Sequence, residues 1–174
     1  MSRRSNISVL GSYSATKEEE HLAYQLGYGL ANLGVNVISG GQKGVMHSLS
    51  KGVHEARLHG FESAYIIGIL PKSGFDEGNV YLDLAIPVGS AHLQNSIIPL
   101  AADLVIAIGG SAGTLAEIAM AWQFRKPIAL LGDHGWAGRL GNTKLDNRRE
   151  DQMFHFTATK DTLEWVVSVL AYKG

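Results

Sequence analysis

A chain of 174 residues, 45% hydrophobic and 18% charged, has the length of one domain and the composition of a core-former, which excludes a disordered chain. Fifteen Lys and Arg against sixteen Asp and Glu leave a net charge of −1, and nothing in that balance suggests nucleic acid or an anionic membrane as the main partner. Cysteine is absent, so disulfide frameworks, thiolate metal centres and thiol nucleophiles are excluded as well.

Short β-branched runs alternate with longer helical patterns along the chain. Residues 7–10 predict a first strand, ended by Gly11-Ser12-Tyr13-Ser14. Thr16 before Lys17-Glu18-Glu19 predicts an N-cap with an acidic first turn. That helix runs to about Leu33, with Leu22, Leu26, Gly29, Leu30 and Leu33 on one face and Gly34 as its stop. Residues 35–38 predict a second strand, followed by a glycine-bearing loop and a helix to about His59. A third strand covers 64–70, halted by Pro71, and 72–81 reads as a polar loop. A short strand is expected within 82–88 and a helix over 91–101, leading into 104–108, the clearest central strand. Gly109 to Thr114 then opens a helix to about Arg125, and 127–131 is another strand. Residues 132–152 read as a long loop, 154–156 as an edge strand and 159–172 as a closing helix bearing Leu163, Val166, Val167 and Leu170. Charge-poor strands alternating with helices imply a parallel sheet covered on both faces.

The apolar run after the N-terminus is too short for a secretory leader, and no run reaches the 18 or so apolar residues of a membrane helix. A cytoplasmic protein with no membrane partner is therefore expected, as a single domain over 1–174.

Glycine numbers 21 of 174 residues, well above the roughly 7% of average proteins, and it is clustered. Glycine-bearing loops follow predicted strands at 11–14, 39–45 and 109–114. Beyond the carboxyl ends of parallel strands such loops let backbone approach a ligand, and the following helix offers free N–H groups to a phosphate. The loops make Gly11, Ser12, Gly40, Gly41, Lys43, Gly44, Gly109, Gly110, Ser111, Gly113, Thr114 and Glu117 candidate ligand-binding residues. None of the loops has the Walker A or the G-x-G-x-x-G spacing.

Ser39-Gly40-Gly41-Gln42-Lys43-Gly44-Val45-Met46 resembles the G-G-x-x-G-V-M segment of the Lonely Guy superfamily. The run Gly109-Gly110-Ser111-Ala112-Gly113-Thr114-Leu115-Ala116-Glu117 resembles its P-G-G-x-G-T-x-x-E signature. The resemblance extends over about 6–131 and implies a three-layer, Rossmann-like α/β fold with a mostly parallel central sheet. One branch hydrolyses nucleoside 5′-monophosphates, cytokinin ribotides included. Another comprises the molybdenum cofactor carrier proteins, similar here in Gly68-Ile69-Leu70-Pro71 and in the signature segment. The hydrolases pair an upstream Arg with the signature Glu. This chain keeps Glu117, but the Arg position falls on Gln94, and Gly109 and Ser111 replace the signature's proline and second glycine. The resemblance thus implies carriage of molybdenum cofactor, with molybdoenzymes or cofactor-synthesis proteins as partners and a homodimer or homotetramer as the assembly. The alternatives are a nucleoside monophosphate phosphoribohydrolase, for which Glu117 is the candidate catalytic residue, and a nucleotide-sensing module.

The residues alone point the same way. Cleaving a glycosidic bond usually takes paired ionisable groups; Glu117 has no obvious second carboxylate, because Asp103 precedes its strand and is expected at the far end. Glu117 also has a bland reading, as a cap partner near a helix N-terminus, and Lys43 as a solvated loop lysine. Relatives are sometimes labelled lysine decarboxylases, but no Schiff-base lysine with a pyridinium partner stands out, so pyridoxal phosphate is not expected. His47 and His54 could share a helix face without forming His-x-x-x-His, and no zinc or other metal is expected. His92 is singled out for its nearness to Gln94. In the helix 114–125, Leu115, Ile118, Ala119 and Trp122 form one stripe while Met120 and Phe124 lie off it; one sheet covers one stripe, so the surplus predicts a partner subunit.

Overall fold

The computed structural model describes residues 3–60 and 64–172. In chain order the elements are β1 (Asn6–Gly11), α1 (Lys17–Asn32), β2 (Asn36–Ser39), α2 (Val45–Leu58), β3 (Ile66–Leu70), β4 (Leu84–Pro87), α3 (Ala91–Ala101), β5 (Leu104–Ile108), α4 (Ala112–Gln123), β6 (Ile128–Leu131), α5 (Gly135–Arg139), β7 (Phe154–Phe156) and α6 (Thr159–Ala171). The strands form one seven-stranded sheet in the order β4-β3-β2-β1-β5-β6-β7. Every pairing is parallel, with Ile7 opposite Leu104 and Val37 opposite Ile66 marking the register at the centre.

Side-chain alternation along β1 divides the core. Ile7 and Val9 join the layer under α1, α2 and α6, whereas Leu10 joins the layer under α3, α4 and α5. Ser8, on the second face, is buried and donates to the Ile98 carbonyl of α3 at 2.7 Å, which satisfies the one hydroxyl that this strand puts into the core. All five residues of β5 are buried, as a central strand covered on both faces requires.

Local chemistry sets the element ends. Thr16 Oγ1 accepts from the Glu19 amide at 3.2 Å while the Glu19 carboxylate accepts from the Thr16 amide at 2.7 Å, a complete capping box. The α1 face differs from expectation at one end: Leu33 falls past the helix as its C-cap and is exposed, while Ala23 and Gly27 join the buried stripe. Residues 132–152 contain a helix, α5, that their glycines and short length conceal. On α4 the buried stripe is Thr114, Glu117, Ile118, Ala121 and Trp122, and Leu115 and Ala119 sit at its margin. Asp103 lies at the amino end of β5, where it accepts from the Asn6 amide at 2.8 Å and from Arg3 at 2.7 Å, far from the strand ends that carry the glycine-rich turns.

Candidate functional site

The sheet order reverses between β1 and β5, and the crevice beyond their carboxyl ends is where open α/β sheets hold ligands. A pocket of about 150 Å³ lies there, walled by Gly11 and Tyr13 after β1, Gly40 and Gln42 after β2, Met46 of α2, Gln94 and Asn95 of α3, and Ser111, Gly113, Thr114 and Glu117 of α4. A second pocket of about 280 Å³ shares Tyr13 and Gln42 with it and continues along Lys43, His47 and residues 76–80. A larger cavity, about 1070 Å³, lies between α1 and α6, is lined by Leu22, Tyr28, Leu163 and Val167 among others, and includes none of the three glycine-rich turns.

The α4 end that faces the inner pocket is left open. Thr16 and Ser90 cap α1 and α3 with their side chains, but Ser111 at α4 and Gly44 at α2 form no side-chain cap bond. The first-turn amides of α4 are therefore available to an anion, and the helix dipole adds partial positive charge there. A Cβ built on Gly113 would meet nothing within 4 Å, so the approach is unobstructed. Thr114 is buried, and its hydroxyl forms no hydrogen bond among the described residues.

Glu117 stands one turn further in, with 9% of its surface exposed. It has no hydrogen-bond partner among the described residues, and burial alone pushes its carboxyl up to about 8. It is not a cap partner; near neutral pH it is a protonated acid that can donate a hydrogen bond into the pocket. Gln94 is also buried, and its Nε2 donates to Ile69 O at 2.8 Å and Gly40 O at 3.4 Å. Its amide protons thus tie the ends of β2 and β3 together. Among the described residues no Lys, Arg or His lines the inner pocket.

The candidate residues divide into wall and scaffold. Gly11, Gly40, Ser111, Gly113, Thr114 and Glu117 line the inner pocket, and Lys43, exposed, lines the outer one. Ser12, Gly41, Gly44, Gly109 and Gly110 line neither pocket. The Gly110 amide donates to Ser12 Oγ at 2.9 Å, and Ser12 Oγ donates to Glu19 Oε1 at 3.3 Å. From the other side α5 holds the same turn, Trp136 N donating to Gly110 O at 3.2 Å and Ala137 N to Gly109 O at 2.9 Å. Gly110 takes φ +96°, and a Cβ there would meet Thr114 at 2.5 Å; only glycine both turns the chain and clears the threonine. Gly41 packs on Gly68, and Gly44 on the Ser12 and Tyr13 carbonyls. These residues aim α4 and α2 at the pocket without facing it.

His92 is exposed on α3 and lines neither pocket; its neighbour Asn95 takes the inner wall. His47 and His54 flank the Tyr81 ring, each with centroids 5.2 Å from it. Sequence reasoning passed over Tyr13, Gln42, Met46 and Asn95, all adjacent to or within its motifs. It also passed over 76–80, which carry no local signal beyond polarity.

The SLOG cluster4 family profile matches residues 4–164. A cytokinin riboside 5′-monophosphate phosphoribohydrolase of Arabidopsis thaliana is 29% identical over 190 aligned positions, covering 99% of this chain and 80% of the relative. Among solved structures, the molybdenum cofactor binding protein of Rippkaea orientalis is similar with a TM-score of 0.84 and 32% identity, over 97% of this chain and 98% of that one. The molybdenum cofactor carrier protein of Chlamydomonas reinhardtii is similar with a TM-score of 0.79 and 26% identity, over 97% and 99% of the two chains.

Proposed function

Given that the chain belongs to the SLOG cluster4 family, within the Lonely Guy superfamily and beside its molybdenum cofactor carriers, we propose that it binds and carries molybdenum cofactor. The observation that carries this reading is Gln94. The position that supplies a fixed cation in the hydrolases is held here by a neutral amide whose protons are spent on two main-chain carbonyls. A pocket whose lining has no cation and one protonated acid is poorly equipped to stabilise a cationic sugar and expel a base. It is well equipped to hold a phosphorylated ligand. The open amides of α4 and the Thr114 hydroxyl take the anionic group, and protonated Glu117 adds a donor without adding repulsion. The inner pocket alone is smaller than the roughly 300–1,000 Å³ of typical small-molecule sites. Its continuation past Tyr13 and Gln42 brings the site into that range.

The second reading, a nucleoside monophosphate phosphoribohydrolase, is favoured by Glu117 itself, since a carboxyl with its proton held to about 8 is in the state of a general acid. Anaerobic equilibrium binding of molybdenum cofactor against AMP on one preparation separates the two. The cofactor is expected to bind more tightly, and incubation with AMP or a cytokinin ribotide is expected to release little free base. Turnover on the order of the enzyme median, about 10 per second, would overturn the carrier reading.

A further inference from the structure

We propose that the outer pocket is a heterocycle subsite selective for a ring presenting an oxo group beside two adjacent N–H donors, the 2-amino-4-oxo edge shared by pterins and guanine, over adenine. The inference rests on the reading above, that the inner pocket takes a phosphate, and it assigns the other end of the same ligand.

The two pockets differ in chemistry. The inner one is a donor site, built from helix amides, the Thr114 hydroxyl and the protonated, nine-tenths buried Glu117, which points into it without a partner among the described residues. The outer one is lined by two segments, residues 76–80 of the β3–β4 connection and Gln42, Lys43 and His47 around the start of α2. Tyr13, half exposed, stands at the junction, where an aromatic ring offers a stacking face to a flat heterocycle.

The wall is built in advance. Asn79 Nδ2 donates to Gly41 O at 3.1 Å, Gln42 O at 3.3 Å and Ser50 Oγ at 3.3 Å, and the Asn79 amide donates to Gly41 O at 2.8 Å. Glu77 is taken up by the Lys72 ammonium and by Gln42 Nε2 at 2.9 Å. Asp76 is different: Lys72 lies near enough to attract it electrostatically, but its carboxylate accepts no hydrogen bond among the described residues, and the Lys43 ammonium donates none. A carboxylate and an ammonium with their hydrogen-bonding capacity unspent on the rim of one pocket match an edge that carries adjacent N–H donors next to a carbonyl oxygen. Adenine reverses that order, setting the lone pair of N1 against the carboxylate. Charge-assisted pairs of this kind discriminate more strongly than neutral ones.

The test is calorimetric titration of the whole chain with GMP, AMP and ribose 5-phosphate, three probes that share a phosphate and differ in the ring. GMP is expected to bind at least tenfold more tightly than AMP, with ribose 5-phosphate weaker than either. Asp76→Ala, on the exposed rim, is expected to erase the preference for GMP and leave ribose 5-phosphate unchanged. If all three probes bind but AMP equals GMP, or if the preference survives Asp76→Ala, the subsite assignment is wrong and the phosphate reading stands. If none of the three binds, the phosphate reading is wrong and the subsite falls with it.

Discussion

At the scale of single residues, Glu117 makes the sharpest claim. Its carboxyl titrates near 8 in the folded chain against about 4.3 in an unfolded one. Between those values the folded state keeps a proton that the unfolded state has released, so stability falls as pH rises across the window and levels off above it. Glu117→Gln keeps the shape and removes the titration. It is expected to match the wild type near pH 4 and to exceed it by on the order of a few kcal/mol at pH 8, as urea melts at both pH values would report. Ligand binding makes the opposite demand on the neighbouring Thr114. Thr114→Val is expected to weaken binding by roughly 0.5–1.5 kcal/mol if one neutral hydrogen bond is lost, and by more if the group it meets is charged. Gly110→Val is expected to abolish binding, because its side chain would displace Thr114 and oppose a φ of +96°; wild-type affinity in both folded variants would move the site elsewhere.

Among the elements, α1 and α2 form a contact that no local pattern announces. A Cβ on Gly27 would lie 2.1 Å from Leu49 O, and one on Gly52 would lie 2.1 Å from Tyr24 O. The two helices thus meet backbone to backbone, each glycine facing the main chain of the other. Helix propensity alone says Gly27→Ala should stabilise by up to about 1 kcal/mol. The contact says otherwise, since a carbonyl oxygen cannot fold away as a flexible side chain can, and overpacking of this kind costs about 1–3 kcal/mol. Gly27→Ala is therefore expected to lower stability in chemical denaturation, and a stabilised variant would refute the interlock. The short α5 has a comparable hidden role, because its first amides hold the Gly109 and Gly110 carbonyls and so fix the direction of α4.

For the whole molecule, the question is what covers the outer surface of α3 and α4. Part of the α4 surplus is settled within the chain, since Ser96 Oγ of α3 lies 3.4 Å from Met120 Sδ. Phe124 remains 37% exposed, and α3 adds Leu93 at 52% and Leu100 at 56%. Apolar side chains on two packed helices suit a symmetric contact between copies, the commonest closed assembly. Sedimentation is expected to show at least a dimer. Met120 and Phe124 both changed to Glu are expected to yield a folded monomer with weaker ligand binding, because the same contact would brace the helix that carries Thr114 and Glu117. A wild-type monomer at micromolar concentration would defeat this.

The sequence by itself determined the alternation of strands and helices, the all-but-charge-free central strands and the three glycine-rich turns, because each rests on local periodicity and on residues such as Thr16 and Gly34 that act within one turn of themselves. It also singled out Glu117 and Gln94, through motifs whose spacing is local, and both line the inner pocket. Only the tertiary structure decided which glycines face the pocket and which brace it, since the Gly110 amide is claimed by Ser12, a residue 98 positions away. The same holds for Asp76 and Asn79, which reach the outer pocket because the β3–β4 connection has no helix and instead loops over the turn after β2. Contacts between segments remote in sequence leave no periodic trace in either segment, and the wall of this pocket is built from such contacts.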